Sequence, residues 1–147
     1  GDYDIDGVCS TYILLRGLTR AGAEVDTDIP DRKKDGYGLN EDLVKRAYDA
    51  GVDTIVTCDN GIAAVKEIAY AKSLGMTVII TDHHELQEEI PPADVVVNPH
   101  QNDCPYPYKN LCGAGVAWKL VSALWEQLGV PEQELYEDLL KDPKFQE

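Results

Sequence analysis

Apolar and polar positions along the chain change period several times, and each change marks a predicted element. Residues 8–21 place Val8, Ile13, Leu14, Leu15, Leu18 and Ala21 at near-helical spacing, which predicts a helix closed by Gly22. A short strand around Val25 is expected next. The segment from Asp31 to Gly38 holds too many charges and glycines for the interior of an element and reads as a surface loop. Asn40 then caps a helix running to about Asp49, with Glu41 and Asp42 in its first turn and Leu43, Val44 and Ala47 as its apolar stripe. Two continuous β-branched runs, Thr54 to Cys58 and Thr77 to Thr81, read as strands covered on both faces, with a helix from Ala63 to Leu74 between them. A crossover of that length predicts parallel pairing. A third run, Asp94 to Asn98, follows the Pro91-Pro92 break; a long helix from about Ala114 to Leu128 and a polar helical stub over 131–147 complete the pattern. The alternation predicts an α/β fold, an open and mostly parallel sheet with helices on both faces. Gly1 stands directly in an acid-rich stretch with no apolar run ahead of it, so the first strand of that sheet is expected to be missing and the chain to be a fragment.

Composition narrows the function classes. With 147 residues, 44% apolar and 27% charged, the chain reads as one globular domain over 1–147, and disorder and collagen-like repeats are excluded. A net charge of −14 excludes a general positive sheath for nucleic acid, so a polyanion is met only at a local site. No apolar run approaches the roughly 18 to 20 residues needed to cross a bilayer, and no basic start precedes a short apolar stretch, so neither a membrane partner nor secretion is expected. Cys9, Cys58, Cys104 and Cys112 contain no C-x-x-C pair, and Cys9 and Cys58 sit in apolar segments. The expected compartment is the reducing cytoplasm.

The carboxylates fall at telling places. Asp59 follows one predicted buried strand and Asp82-His83-His84 follows the next, so parallel pairing brings both to the carboxyl edge of the sheet, where open α/β folds bind ligands. Asp4 and Asp6 precede a helix as a strand-to-helix loop would, and they are expected at the same crevice. Carboxylates gathered in a small volume repel one another unless a cation compensates. Oxygen donors with one or two imidazoles and no thiolate select Mg²⁺ or Mn²⁺, the histidine favouring Mn²⁺, with zinc less suited. Asp59, central in this set, is placed to bridge two ions about 4 Å apart, an arrangement suited to in-line displacement at phosphorus.

Gly1 to Ser10, Thr57-Cys58-Asp59-Asn60-Gly61-Ile62 and Asp82-His83-His84 resemble the first three motifs of the DHH phosphoesterases. Asp35-Gly36-Tyr37-Gly38-Leu39, Val97-Asn98-Pro99, Cys104-Pro105-Tyr106 and Leu111 to Ala117 look like the linking segments of the RecJ-type exonucleases within that family. The tripeptide D-H-H alone is weak; in order with D-x-D-G, D-N-G and G-A-G-V it is specific. The resemblance implies digestion of single-stranded DNA from its 5′ end, in repair and recombination, by a metal-dependent phosphodiesterase. It implies that Asp4, Asp6, Asp59 and His83 ligate two Mn²⁺ ions (or Mg²⁺) with Asp59 bridging, that His84 meets the scissile phosphate, and that Asp82 orients a histidine. It also implies a further aspartate ligand and a separate substrate-binding domain beyond this chain, so the fragment is expected to be incomplete and inactive alone.

Plainer readings apply elsewhere. Asp2 is taken as a helix cap or dipole partner. Gly113-Ala114-Gly115 opens a helix, and two readings stay open: amides that receive a substrate phosphate at Gly113 and Gly115, or small residues for close packing. Arg32, with Lys33 and Lys34, is the basic cluster nearest to a role in guiding a nucleic-acid backbone. Trp118 and Trp125 lie seven apart on one helical face and read as core, His100 as structural, and Cys104 and Cys112 as structural. The alternatives to the exonuclease are a DHH enzyme for small substrates such as oligoribonucleotides, nucleotide 3′-phosphates or pyrophosphate, and a catalytically silent module that binds nucleic acid or a protein partner. A phosphoacceptor domain is disfavoured by the adjacent histidines.

Overall fold

The computed structural model describes residues 1–30 and 38–141. Its elements, in order, are α1 (Ile5–Arg20), α2 (Glu41–Asp49), β1 (Thr54–Cys58), α3 (Val65–Ser73), β2 (Thr77–Thr81), β3 (Val95–Val97), α4 (Gly113–Gln127) and α5 (Glu132–Lys141). The three strands form one sheet in the order β1-β2-β3, parallel throughout.

Alternation along the strands sends side chains to two cores. Val78 and Ile80 of β2 join Val44 of α2, Ile68 and Ala71 of α3 and Met76 on one face. Cys58 of β1 joins Leu14 of α1, Ala117, Val121 and Trp125 of α4 and Leu135 of α5 on the other. Each fully buried aliphatic side chain contributes about 1.5–3 kcal/mol relative to exposure, and together they cover the sheet on both sides. Lys72, at the end of α3, reaches the Met76 carbonyl at 2.8 Å and the Asp94 carboxylate at 2.7 Å. Asp94 also accepts from the Val78 amide at 2.7 Å, so one ion pair ties the ends of α3, β2 and β3 together.

Two sequence expectations are corrected. The helix expected at residues 8–21 begins three residues earlier, because Asp4, extended at φ −76° and ψ 176°, caps it by accepting from the Gly7 amide at 2.8 Å. Asp4 therefore does what was expected of Asp2. No strand forms around Val25: Glu24, Asp26 and Asp28 alternate there as exposed acids, and one half-buried valine offers too little apolar surface to hold a ladder. Arg32 lies outside the described residues. Among those described, no helix is long and apolar enough to cross a membrane.

Candidate metal centre

Strand register sets the site. Thr54 pairs with Thr77 and Cys58 with Thr81, while Thr81 pairs with Val97, so the residues that follow the three strands, Asp59, Asp82 and Asn98, form one row at the carboxyl edge. The ladder carries on one step into that row, with the Asp59 amide donating to the Thr81 carbonyl and the Asp82 amide to the Val97 carbonyl, both at 3.1 Å.

Asp59 turns the chain out of β1 with φ +57°, a left-handed conformation that aspartate tolerates better than most residues, and it is only 2% exposed. Gly61 follows at φ +106°, packed so that any Cβ there would meet the Thr57 hydroxyl at 2.5 Å. Asp82, fully buried, fixes two loops at once. Its Oδ2 accepts from the Ile62 amide at 3.0 Å, and its Oδ1 accepts from the His83 and His84 amides at 2.8 and 3.2 Å. The same Oδ1 lies 2.6 Å from His84 Nδ1. The His83 ring then faces Asp59, Nε2 to Oδ1 at 2.8 Å, with Asp6 Oδ2 3.5 Å from the same nitrogen. Asp6 is held from the opposite side by the first turn of α4, whose Gly113 and Ala114 amides donate to its two oxygens at 2.7 and 2.8 Å.

Among the described residues two groups of donor atoms result, the atoms of each lying within 4.8 Å of one another: Asp59, Asp82, His83 and His84 in one, Asp2, Asp4 and Asp59 in the other. Asp59 belongs to both. The structure thus brings together Asp4, Asp6, Asp59, Asp82, His83 and His84, drawn from the start of α1 and the loops after β1 and β2.

Sequence reasoning passed over two residues. Asp2, 5% exposed, puts its carboxylate among those of Asp4 and Asp59 rather than on a helix terminus. Asn98, 1% exposed, donates to the His84 carbonyl at 2.9 Å and accepts from the His100 amide at 2.9 Å, bracing the histidine loop. The signal for Asn98 was present: it stands directly after the third β-branched run, as Asp59 and Asp82 stand after the first two. His100 is partly buried with its ring 3.5 Å from Glu85, away from the acidic cluster. The Gly113 and Ala114 amides are taken by Asp6, and a Cβ at Gly115 would point at Leu111 and Cys112.

Electrostatics follow from this crowding. Burial, then the nearby charge of Asp6 and more weakly that of Asp4, push the Asp59 carboxyl up to about 6, against the partial relief of its bond to His83. For His84, burial opposes the charged ring, yet the Asp82 carboxylate hydrogen-bonded to it prevails, with smaller help from Asp59 and Asp2, and its pKa is raised. A buried carboxylate held in that state, among oxygen and imidazole donors with no thiolate in either group, is the donor set that suits a hard or borderline divalent ion. All four cysteines are free, and Cys58 lies buried with Sγ 3.5 Å from the Thr11 hydroxyl.

The chain is 51% identical over 128 residues to the single-stranded-DNA-specific exonuclease RecJ of Bacillus subtilis, a match that covers 87% of this chain and 16% of that protein. It is 42% identical over 125 residues to the RecJ of Escherichia coli, covering 84% of this chain and 22% of that one. The chain therefore spans about a fifth of the length of these relatives. Among solved structures, it superimposes on exonuclease RecJ bound to manganese with a TM-score of 0.81 at 41% identity, covering 90% of this chain and 33% of the other. The superposition on RecJ of Thermus thermophilus in complex with Mn²⁺ gives 0.74 at 38% identity, over 90% of this chain and 18% of that one. Residues 1–141 match the profile of the DHH family, N-terminal domain, and the chain belongs to that family.

Proposed function

We propose that this chain is the metal-binding core of a cytoplasmic, Mn²⁺-dependent phosphodiesterase that digests single-stranded DNA, the substrate for which its RecJ relatives are named. The observation that carries the reading is Asp59, a buried carboxylate common to two clusters of donor atoms. Asp4, Asp6 and His83 complete the set that would hold two Mn²⁺ (or Mg²⁺) ions, with Asp59 between them and the Asp2 carboxylate alongside. Bound there, the ions supply Lewis-acid activation of water and neutralisation of charge on the phosphate.

The chain's own residues do the rest. Asp82 spends its whole carboxylate on two loops and on His84 Nδ1, which fixes the ring and leaves Nε2 free of that bond. With its pKa raised, His84 is disposed to carry a proton and to donate it toward a phosphate oxygen, which makes it the residue for the scissile phosphate. Arg32 and Gly115 are the remaining candidates for the DNA backbone, the Gly113 amide being taken by Asp6.

The test uses the protein in its full natural length, with single strands labelled at the 5′ end, oligoribonucleotides and pyrophosphate offered in parallel. Mn²⁺-dependent release from the 5′-labelled strand, lowered by more than about 100-fold by Asp59→Asn, is expected, since loss of a shared ligand costs more than loss of a group that only orients ligands. Cleavage confined to the small substrates would move the chain to the other branch of its family. Cleavage that survives EDTA or Asp59→Asn would overturn the metal reading altogether.

A further inference from the structure

The first turn of α4 touches both ends of the acid cluster. The Gly113 amide donates to Asp6 Oδ2 at 2.7 Å and the Ala114 amide to Asp6 Oδ1 at 2.8 Å. A Cβ built on Gly113 would meet Asp59 at Cβ and Oδ1 at 2.8 Å and at Cγ at 3.0 Å, closer than real Cβ atoms approach anything. The same short segment thus clamps one carboxylate and stands wall to wall with another. We infer that Gly113 and Ala114 are positioning residues for the metal centre: their amides aim the Asp6 carboxylate, and the absent side chain of Gly113 leaves Asp59 the space in which to bridge.

This rests on the metal reading above, and three observations deepen it. Each carboxylate oxygen accepts from about two directions. With one direction on each oxygen of Asp6 taken by an amide, the remaining ones are fixed rather than free to rotate, and Oδ2 stands 3.5 Å from His83 Nε2. Next, α4 cannot drift relative to the helix that carries Asp6. The Trp125 indole nitrogen donates to the Gly17 carbonyl at 3.1 Å, and Gly17 lies so close to Val121 that a Cβ there would overlap its methyl groups. Finally, a substrate phosphate at the Gly113 and Ala114 amides would have to evict Asp6. The small residues at the start of α4 therefore serve the metal ligands directly and the substrate only through them.

An ordinary helix cap makes a different prediction. Were Asp6 only a cap, Gly113→Ala would lower the melting temperature and leave metal affinity unchanged. Calorimetric titration of MnCl₂ into the protein in its full natural length, alongside melting in EDTA, separates the two. Gly113→Ala is expected to weaken Mn²⁺ binding by at least about tenfold, the scale on which residues that orient ligands act. Ala114→Pro removes one amide from Asp6 at a first-turn position where proline is tolerated, and should weaken binding in the same direction. It carries the test if Gly113→Ala does not fold. Lys119→Ala, further along the exposed side of α4, should titrate like the wild type. Wild-type affinity in both variants would overturn the inference while leaving the metal reading intact. A full-length wild-type protein that binds no Mn²⁺ would remove that reading, and the inference with it.

Discussion

Asp59 concentrates the site's conflict in one side chain. It is buried, turned into a left-handed conformation, and faced by the charges of Asp6 and Asp4. Its carboxyl, ordinarily near 3.8, stands at about 6 in the metal-free fold. Because the folded-state value lies above the unfolded one, the fold is favoured below about pH 4 and loses that advantage as the pH rises through 6. The shift of about two pH units corresponds to at most about 3 kcal/mol. Asp59→Asn removes the charge and keeps a residue that accepts positive φ. In EDTA at pH 8 the variant should therefore unfold at higher urea than the wild type, the two curves converging near pH 4. A variant less stable than the wild type at pH 8 would show that the carboxylate is not strained as described. Asp59 was legible in the sequence because it closes a β-branched run. The roles of Asp2 and Asp4 were not, since three acids alternate over five residues and only the turn of the backbone decides which one caps and which points inward.

Elements rather than residues set how rigidly the three loops converge, and the contact of α1 with α4 is the decisive one. An alanine in place of a mid-helix glycine ordinarily gains about 0.5–1 kcal/mol. At Gly17 the opposite is expected, because the new methyl group falls on Val121, which is fully buried. Overpacking of that kind costs about 1–3 kcal/mol. Chemical denaturation of Gly17→Ala should show that loss, and Val121→Ala combined with it should return part of it, a coupling absent if the helices simply slide apart. A Gly17→Ala chain as stable as the wild type would mean that the approach is slack. This contact was beyond sequence reading, since periodicity gives the apolar face of each helix but not its partner. The strands were different. Thr54–Cys58 and Thr77–Thr81 stand where their unbroken β-branched runs end, and the acids just after them were placed at the edge by parallel pairing alone. Val25 misled because one valine among alternating acids has the period of a strand without its apolar surface.

On the scale of the whole molecule the charge is the unresolved quantity. A chain of −14 has gathered several of its acids at one edge, and that edge is the surface proposed to meet another polyanion. Neither burial nor hydrogen bonding removes the repulsion; a bound divalent cation does, and it does so only in the folded state, where the donors are assembled. Binding to the native state alone shifts the unfolding equilibrium by mass action, about 2.7 kcal/mol when free ion exceeds its dissociation constant a hundredfold. For a domain of this size that amounts to a rise in Tm of several degrees. Thermal melts of the chain should therefore move up with MnCl₂, less with MgCl₂ because an imidazole is among the donors, and return with EDTA. The rise should vanish in Asp59→Asn, whose metal-free stability is already relieved. Below about pH 6 protons occupy Asp59 and compete with the ion, so the Mn²⁺-dependent rise should shrink as the solution is made acid. Superimposable melts in Mn²⁺ and EDTA at pH 8 would leave the acidic edge without its counter-charge, and the proposed contact of so negative a chain with another polyanion without its means.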